Sequence, residues 1–287
     1  MPNLIDLRRR IRSVKNTQQI TKAMKRVSAA KLRRAHEKVL AARPYASLLT
    51  EMLGSILGNQ AEDAPALNHP LLARREEKRI LLLLLSGDKG LCGAFNSNAL
   101  KASQRFLGEH PGASVEFELI GRRGADFYRR REVSVAGEWI NVFSHVDLNV
   151  AREISRKVMD RFVAAEIDAV YLIYNEFKSV LSQTIVVKRM LPVKIPESAG
   201  GSREYIYEQK PEEIFRTLLP KYVETNIYQA MVESGAAEHA ARMTAMESAT
   251  RNADEMIEKL TLHLNRVRQA SITTELIEVV TGAQALE

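Results

Sequence analysis

Both ends of the chain carry helical periodicity over long stretches, and no other feature of the sequence constrains the fold as strongly. Between residues 4 and 57 the single proline is Pro44, and apolar residues recur at steps of three and four. Residues at these spacings share one face of a helix, so the pattern predicts one long N-terminal helix with an apolar seam. The clearest part of that seam comprises Leu32, Ala35, Val39, Ala42, Ala46, Leu49, Leu53 and Ile56.

The first half of this helix has a less regular seam. Its apolar positions are Leu4, Leu7, Ile11 and Val14, followed by Ile20, Met24 and Val27. Gln18 falls where an apolar residue is due, so we expect a polar interruption there. Pro44 is expected to kink the helix or to leave a backbone carbonyl without its hydrogen bond.

The C-terminal part of the chain mirrors the N-terminal part. No proline follows Pro220, and a second seam runs through Ala249, Ala253, Ile257, Leu260, Leu264 and Val267. Alanines between residues 236 and 249 would let a neighbouring helix approach closely. Two long helices with one seam each bury those seams most economically against each other, so we predict a left-handed antiparallel coiled coil.

The region between the two helices alternates apolar β-rich runs with helical patterns. Strands are predicted near residues 79–86, 115–120 and 169–174, with a further β-rich stretch at 183–193, and helices near 97–109, 124–131 and 148–165. This βαβ rhythm is typical of a parallel sheet covered by helices, so the predicted fold class is α/β. The predicted domains are an N-terminal coiled-coil helix (1–58), a linker (59–78), the α/β domain (79–193), a second linker (194–211) and a C-terminal coiled-coil helix (212–287).

The positive charge of the chain is concentrated in one segment. The formal net charge is +7, yet eleven Lys or Arg residues and no acidic residue lie between Leu7 and His36, so the remaining residues sum to a net negative charge. Salt screens a charge over about 10 Å, and such a local basic segment therefore favours a defined acidic partner surface or a nucleic acid. It contains no interleaved aromatic residues, which makes base stacking improbable.

Three glycines follow the apolar run of residues 80–85, in the stretch SGDKGLCGAFN. Their spacing, at Gly87, Gly90 and Gly93, matches neither the dinucleotide fingerprint nor the P-loop, and no Lys-Ser/Thr pair follows for magnesium. We interpret them as shaping a tight strand-to-helix turn, with Asp88 and Lys89 solvated. The alternative is an enzyme that binds a nucleotide at this turn, which equilibrium dialysis with ATP or NAD would reveal.

Other catalytic and metal-binding patterns are missing from the sequence. Cys92 is the single cysteine, the six histidines show no ligand spacing, and there is no Gly-x-Ser-x-Gly or His-Glu-x-x-His. Cys92 could be a nucleophile if a helix N-terminus lowered its pKa, but packing beneath the turn is the preferred interpretation. We therefore predict no catalytic residue, no metal and no cofactor.

The longest apolar run is too short to cross a bilayer, so we expect an intracellular protein without a membrane span.

Three segments together resemble a known family. They are LRRRIRSVKNTQQITKAMKRVSAAKLRRA (residues 7–35), SGDKGLCGAFN (86–96) and ITTELIEVVTGAQAL (272–286). In this order and spacing they are similar to the gamma subunits of bacterial F-type ATP synthases, and the likeness spans nearly the whole chain. Arg26 and the pair Ala94-Phe95 depart from the more usual residues of that family.

The resemblance implies a Rossmann-like central domain without nucleotide and a shaft formed by the two terminal helices. It implies a non-catalytic rotor subunit that couples ion-driven rotation of a membrane c-subunit ring to nucleotide affinity in an alpha/beta ring, with an epsilon subunit as a further partner. It also implies a peripheral location at the cytoplasmic face of the bacterial inner membrane.

Partner contacts follow from the same resemblance. Those expected for the alpha/beta ring are Arg8, Arg9, Arg10, Arg12, Lys15, Lys22, Met24, Lys25, Arg26, Glu275, Leu276, Val279, Val280 and Leu286. Those expected for the c ring or epsilon subunit are Tyr205, Tyr207 and Glu208. The alternatives that stay open are a simply solvated basic face on the first helix and an edge strand with alternating aromatics in the REYIYEQ segment.

Overall fold

The computed structural model describes residues 4–58, 69–194 and 211–284. The helices are α1 (Leu4–Gly58), α2 (Phe95–Glu109), α3 (Arg122–Tyr128), α4 (Leu148–Val163) and α5 (Pro211–Gln284), with short 3-10 turns at Pro70–Leu72 and Val142–Ser144. The strands are β1 (Arg79–Leu85), β2 (Ser114–Ile120), β3 (Ser134–Trp139), β4 (Ala169–Phe177) and β5 (Gln183–Leu191). The predicted mixed α/β class with long terminal helices is confirmed.

The five strands form one sheet in the order β3-β2-β1-β4-β5. β1 pairs in parallel with β2 and β4, β2 pairs in parallel with β3, and β5 alone is antiparallel, beside β4. The sequence did not indicate β3, because its six residues, SVAGEW, are mostly polar or small and none is fully buried.

The burial of β1 on both faces explains why its sequence is apolar without interruption. Leu81, Leu83 and Leu85 belong to one buried cluster, which includes residues of α1, α4 and α5. Ile80, Leu82 and Leu84 belong to a second cluster, which includes residues of α2 and α3. Both faces of the central strand are covered by helices, so alternation between polar and apolar residues is lost.

The chain divides into two compact units, one made of residues 1–28 and 243–287 and the other of residues 29–242. The larger unit holds the sheet and both buried clusters. Within it the helices α1 and α5 run antiparallel, since Arg43 pairs with Glu233 and Thr50, further along α1, lies close to Tyr222, which comes earlier on α5. The five-part domain division expected from the sequence stays a prediction.

The smaller unit pairs the first part of α1 with the last part of α5. Thr21 Oγ1 lies 2.7 Å from Thr250 Oγ1, and Lys25 Nζ lies 2.9 Å from Glu247 Oε1. Gln18 also donates a hydrogen bond to Asp254. Residue numbers rise on one helix as they fall on the other, so this pairing is antiparallel as predicted.

The seam of the smaller unit differs from the prediction on the α1 side. Ile20 is 60% exposed and Val27 is 56% exposed, whereas Thr21 and Ser28 are buried, at 7% and 3% exposure. The prediction for Ile20 and Val27 is wrong because the true stripe continues from Val14 through Gln18 and Thr21, at steps of four and three. On α5 the predicted positions from Ala249 to Val267 are buried or half-buried.

Candidate functional site

The glycine turn between β1 and α2 is held by groups of its own chain. The Asn96 side chain accepts a hydrogen bond from Gly87 N at 2.8 Å. The Asp88 carboxylate accepts from three backbone N–H groups, those of Arg122 at 3.1 Å, Asn141 at 2.8 Å and Phe143 at 3.0 Å. The expectation that Asp88 is merely solvated is wrong, because this carboxylate ties the turn to the segments that follow β2 and β3.

A buried ion pair of helix α5 packs against the same turn. Arg242 donates to Gly90 O at 3.2 Å and forms an ion pair with Glu238 one helical turn earlier. A Cβ atom added at Gly87 would lie 3.0 Å from Cδ of Glu238. The pKa of Glu238 is raised by burial, an effect that the hydrogen bond from Arg242 opposes. A side chain at position 87 would therefore crowd the Glu238 carboxylate and the Asn96 side chain.

Cys92 has the environment of a packed residue. It is 2% exposed, and Asn96 Nδ2 lies 3.1 Å from its sulfur. Burial, together with the nearby charge of Glu238, raises the pKa of the thiol. An activated nucleophile needs a lowered pKa, so the packing interpretation of Cys92 fits and the nucleophile interpretation does not. Among the described residues no group of His, Cys, Asp and Glu side chains could hold a metal ion.

The basic residues predicted to bind a partner lie along α1. Arg8, Arg9, Arg10, Arg12, Lys15, Lys22 and Arg26 are exposed, whereas Met24 and Lys25 are half-buried. Lys25 donates a hydrogen bond to Glu247 of α5, and this bond, together with the charge of Lys25, lowers the pKa of that carboxyl. The role of these residues in binding stays a prediction.

The last described turns of α5 expose apolar side chains. Leu276 is 62% exposed, Val279 70% and Val280 56%. Glu275 accepts a hydrogen bond from Ser271 at 3.2 Å. From Ile272 onward every described side chain of the helix is exposed, so no described part of the smaller unit covers these residues.

Four of the predicted contact residues lie outside the part of the chain that the structure describes. They are Leu286, Tyr205, Tyr207 and Glu208. The predictions made for them are unchanged.

Sequence reasoning missed Asp88, Glu238 and Arg242 as the residues that organise the glycine turn. An aspartate inside a turn commonly accepts backbone hydrogen bonds, which is a signal for Asp88. Glu238 and Arg242 stand four residues apart, the spacing of a helical ion pair. Their burial beneath the turn depends on long-range packing, which no local pattern reveals.

No helix in the described part of the chain combines the length and the hydropathy needed to cross a membrane.

Comparison with known proteins gives a consistent result. A family described as ATP synthase matches residues 3–286. The ATP synthase gamma chain of Solibacter usitatus is 60% identical over 287 residues, and that of Pelotomaculum thermopropionicum is 47% identical over 289 residues. Each alignment covers all of both chains.

Solved structures agree at the level of the fold. A chain from the central stalk and c-ring structure of the Tetrahymena thermophila mitochondrial ATP synthase has a TM-score of 0.58 and 25% identity. It aligns with 80% of this chain, over 99% of its own length. A chain of the Euglena gracilis mitochondrial ATP synthase has a TM-score of 0.66 at 18% identity, covering 99% of this chain and 94% of its own. Together with the full-length relatives, these findings show that the chain belongs to the ATP synthase gamma chain family.

Proposed function

We propose that this chain, a non-catalytic subunit of the ATP synthase central stalk, couples rotation of a membrane c-subunit ring to nucleotide affinity in a ring of alpha and beta subunits. Family membership supports the stalk role, and the antiparallel pairing of its terminal helices supplies an element that can act as a shaft. In this account ion flow through the c ring drives the shaft, and the chemistry belongs to the partners.

The observation that carries the proposal is the exposed apolar end of α5. Leu276, Val279 and Val280 are each more than half exposed, and they lie on a helix of 74 residues whose preceding part is paired with α1. Large apolar side chains grouped on a surface usually mark an interaction site. We place this end, with Glu275 and Leu286, inside an apolar sleeve formed by alpha and beta subunits.

The basic face of α1 is proposed to meet acidic loops of the same ring. Its exposed members include Arg8, Arg12, Lys15 and Lys22. Attraction between charges separated by solvent varies smoothly with the rotation angle of the shaft. Short directional bonds would instead hold a turning shaft at fixed orientations. This face therefore attracts the ring without locking to it. A solvated face with no partner is the alternative.

Contact with the c ring and the epsilon subunit is proposed for Tyr205, Tyr207 and Glu208, on the resemblance of the REYIYEQ segment alone. With these contacts the chain would be a peripheral component at the cytoplasmic face of a bacterial plasma membrane. Membership in a membrane-associated complex follows from the family, and this finer location is part of the proposal.

The proposed coupling is a matter of differential binding. An effector changes the nucleotide affinity of a protein only if it interacts differently with the protein's two conformations. The shaft presents a basic face on one helix and an apolar end on the other. An asymmetric shaft of this kind touches each beta subunit differently and so sets different nucleotide affinities.

Reconstitution with alpha and beta subunits tests the proposal. ATPase activity of the purified assembly should require this chain. The triple variant Leu276→Asp/Val279→Asp/Val280→Asp should lower that activity, because it places carboxylates in the apolar sleeve. A matched control is Leu262→Asp, which changes a side chain that is 69% exposed on the same helix and outside the proposed contact. The proposal fails if alpha and beta turn over equally well without the chain.

A further inference from the structure

A solvent-facing groove lies within the larger unit, between α1, α5 and the segment that follows β3. Its volume is about 350 Å³. We name it the α1–α5 groove. Its lining includes Lys31, Arg34 and Lys38 of α1 and His145 of the segment that follows β3. The glycine turn is a neighbouring place. Phe143 lines the groove and its backbone N–H bonds to Asp88, whereas Asp88 and Asn96 themselves do not line it.

The charge lining this groove is of one sign. Of the described residues that line it, none is acidic. Lys31, Arg34 and Lys38 stand at steps of three and four, so they share one face of α1 and span about 10 Å along its axis. No described carboxylate lies within 4.0 Å of Lys31 or Arg34, while the nearby Glu37 pairs with Arg33 at 3.5 Å. Lys38 reaches across to the carbonyl of Val146 at 3.4 Å.

The floor of the groove is apolar. Phe143 is 8% exposed and Val232 is 2% exposed. Gly235 of α5 leaves room above them, since a Cβ added there would be 3.7 Å from both Phe143 and Val146. A ligand that fills the groove therefore needs an apolar or aromatic part as well as negative charge.

His239 completes the groove beside Gly235. Burial and the charges of Arg242, Lys31 and Lys89 lower its pKa to about 4. At neutral pH its ring is uncharged because it is largely buried and because these cations lie nearby. An anion bound in the groove would relieve part of this crowding of positive charge.

We propose that the α1–α5 groove binds a soluble organic phosphate of the nucleoside di- or triphosphate class. The phosphate chain lies along Lys31, Arg34 and Lys38, and the base or sugar packs over Phe143 and Val232. A row of cations about 10 Å long suits several linked phosphates better than one isolated anion, and Arg offers bidentate geometry to phosphate oxygens. A site of about 350 Å³ is at the size of small-molecule pockets, which begin near 300 Å³.

Calorimetric titration of the full chain tests this site without any partner subunit, so its outcome is independent of the reconstitution experiment. ADP is the probe, with tripolyphosphate and adenosine as separate arms. We expect saturable binding of ADP, weaker binding of tripolyphosphate and weakest binding of adenosine. Failure of ADP to bind at millimolar concentration would overturn the proposal, as would equal binding of adenosine and ADP.

Variants locate the binding. Lys38→Gln and Arg34→Gln should each weaken ADP binding about tenfold, the usual scale for one hydrogen bond to a charged group. Lys101→Gln removes an exposed lysine of α2 outside the groove and should leave binding unchanged. If Lys101→Gln weakens binding as much as Lys38→Gln, the attraction is non-specific and the site is refuted.

The variant Gly235→Leu tests how much the shape of the groove, apart from its charge, contributes to ADP binding. It keeps every cation, replaces glycine with a better helix former, and projects a side chain into the space above Phe143. ADP binding should fall at least tenfold, whereas tripolyphosphate binding should change less. Unchanged ADP affinity in this variant would place the ligand elsewhere on the chain, and loss of affinity only in a Gly90→Ala variant would assign it to the glycine turn.

Discussion

The sheet of the larger unit and the helix pair of the smaller unit hide apolar surface in different ways. Residues 80–85 of β1 are at most 1% exposed, because helices cover both faces of the sheet. In the helix pair the buried positions include Thr21 and Ser28, while Ile20 and Val27 face solvent. A covered sheet needs a continuous apolar run. A two-helix pair buries only a narrow stripe, and small polar residues can occupy it.

This contrast predicts that core truncation costs more in the sheet than in the helix pair. Leu83→Ala removes a side chain with 0% exposure and should lower the free energy of unfolding by about 3 kcal/mol. Leu264→Ala alters a half-buried seam position of α5 and should cost about 1 kcal/mol or less. Urea unfolding followed by circular dichroism measures both. Fluorescence of Trp139, the single tryptophan, reports on the sheet in particular. Equal costs would break the comparison.

Protonation should affect the larger unit through His239. Its pKa in the folded chain is about 4, below the value of about 6.5 expected when unfolded. The unfolded chain therefore binds the extra proton first, and stability is lost as pH falls from about 6.5 towards 4. For this group alone the loss between pH 7.5 and pH 5 is about 2 kcal/mol.

A His239→Gln variant isolates that contribution. Its urea midpoint should fall less than that of the unchanged chain when pH is lowered from 7.5 to 5. Identical pH dependence in the two proteins would show that His239 is not held neutral by burial and by the charges of Arg242, Lys31 and Lys89.

The polar seam of the smaller unit gives a smaller effect. Thr21→Val removes the 2.7 Å contact with Thr250 and should cost about 1 kcal/mol or less. The double variant Thr21→Val/Thr250→Val should recover part of this loss, because an apolar pair then replaces the two hydroxyls. Thermal unfolding by circular dichroism measures Thr21→Val, Thr250→Val and the double variant. A double variant that loses the sum of the two single losses would argue against direct contact.

The smallest expected effect belongs to the ion pair of Lys25 and Glu247. Both side chains are partly exposed, at 41% and 45%, so water and salt screen their attraction. Lys25→Gln should lower the melting temperature slightly at low ionic strength and not at all at high salt. A large loss that persists at high salt would mean that the pair is far more shielded from water than the structure shows.

Much of the sheet could be predicted from the sequence. The apolar run from Ile80 to Leu85 predicted β1, and the periodic stretch at residues 148–165 predicted α4. Both could be recognised because a strand buried on both faces and an amphipathic helix each leave a local sequence pattern. β3 left no such pattern, since its residues are exposed or half-buried and include Gly137.

The helix pair and the candidate site were harder to predict for physical reasons. The stripe through Thr21 and Ser28 was missed because burial there selects small size rather than apolarity. Asp88 and the pair of Glu238 and Arg242 meet at the glycine turn only after distant segments pack together. The glycine spacing argued against a phosphate-binding loop, and the geometry adds that a side chain of α5 packs closely against the turn.

The antiparallel register of the terminal helices underlies the whole account of a stalk subunit, and disulfide cross-linking measures it directly. In a Cys92→Ser background, Thr21→Cys and Thr250→Cys should form an intramolecular disulfide in nearly every molecule on mild oxidation, since the native hydroxyls are 2.7 Å apart. A control pair, Thr21→Cys with Thr261→Cys, places the second cysteine about 16 Å further along α5 and should not cross-link. No disulfide between positions 21 and 250, or equal yield in the control, would contradict the pairing and with it the proposed shaft.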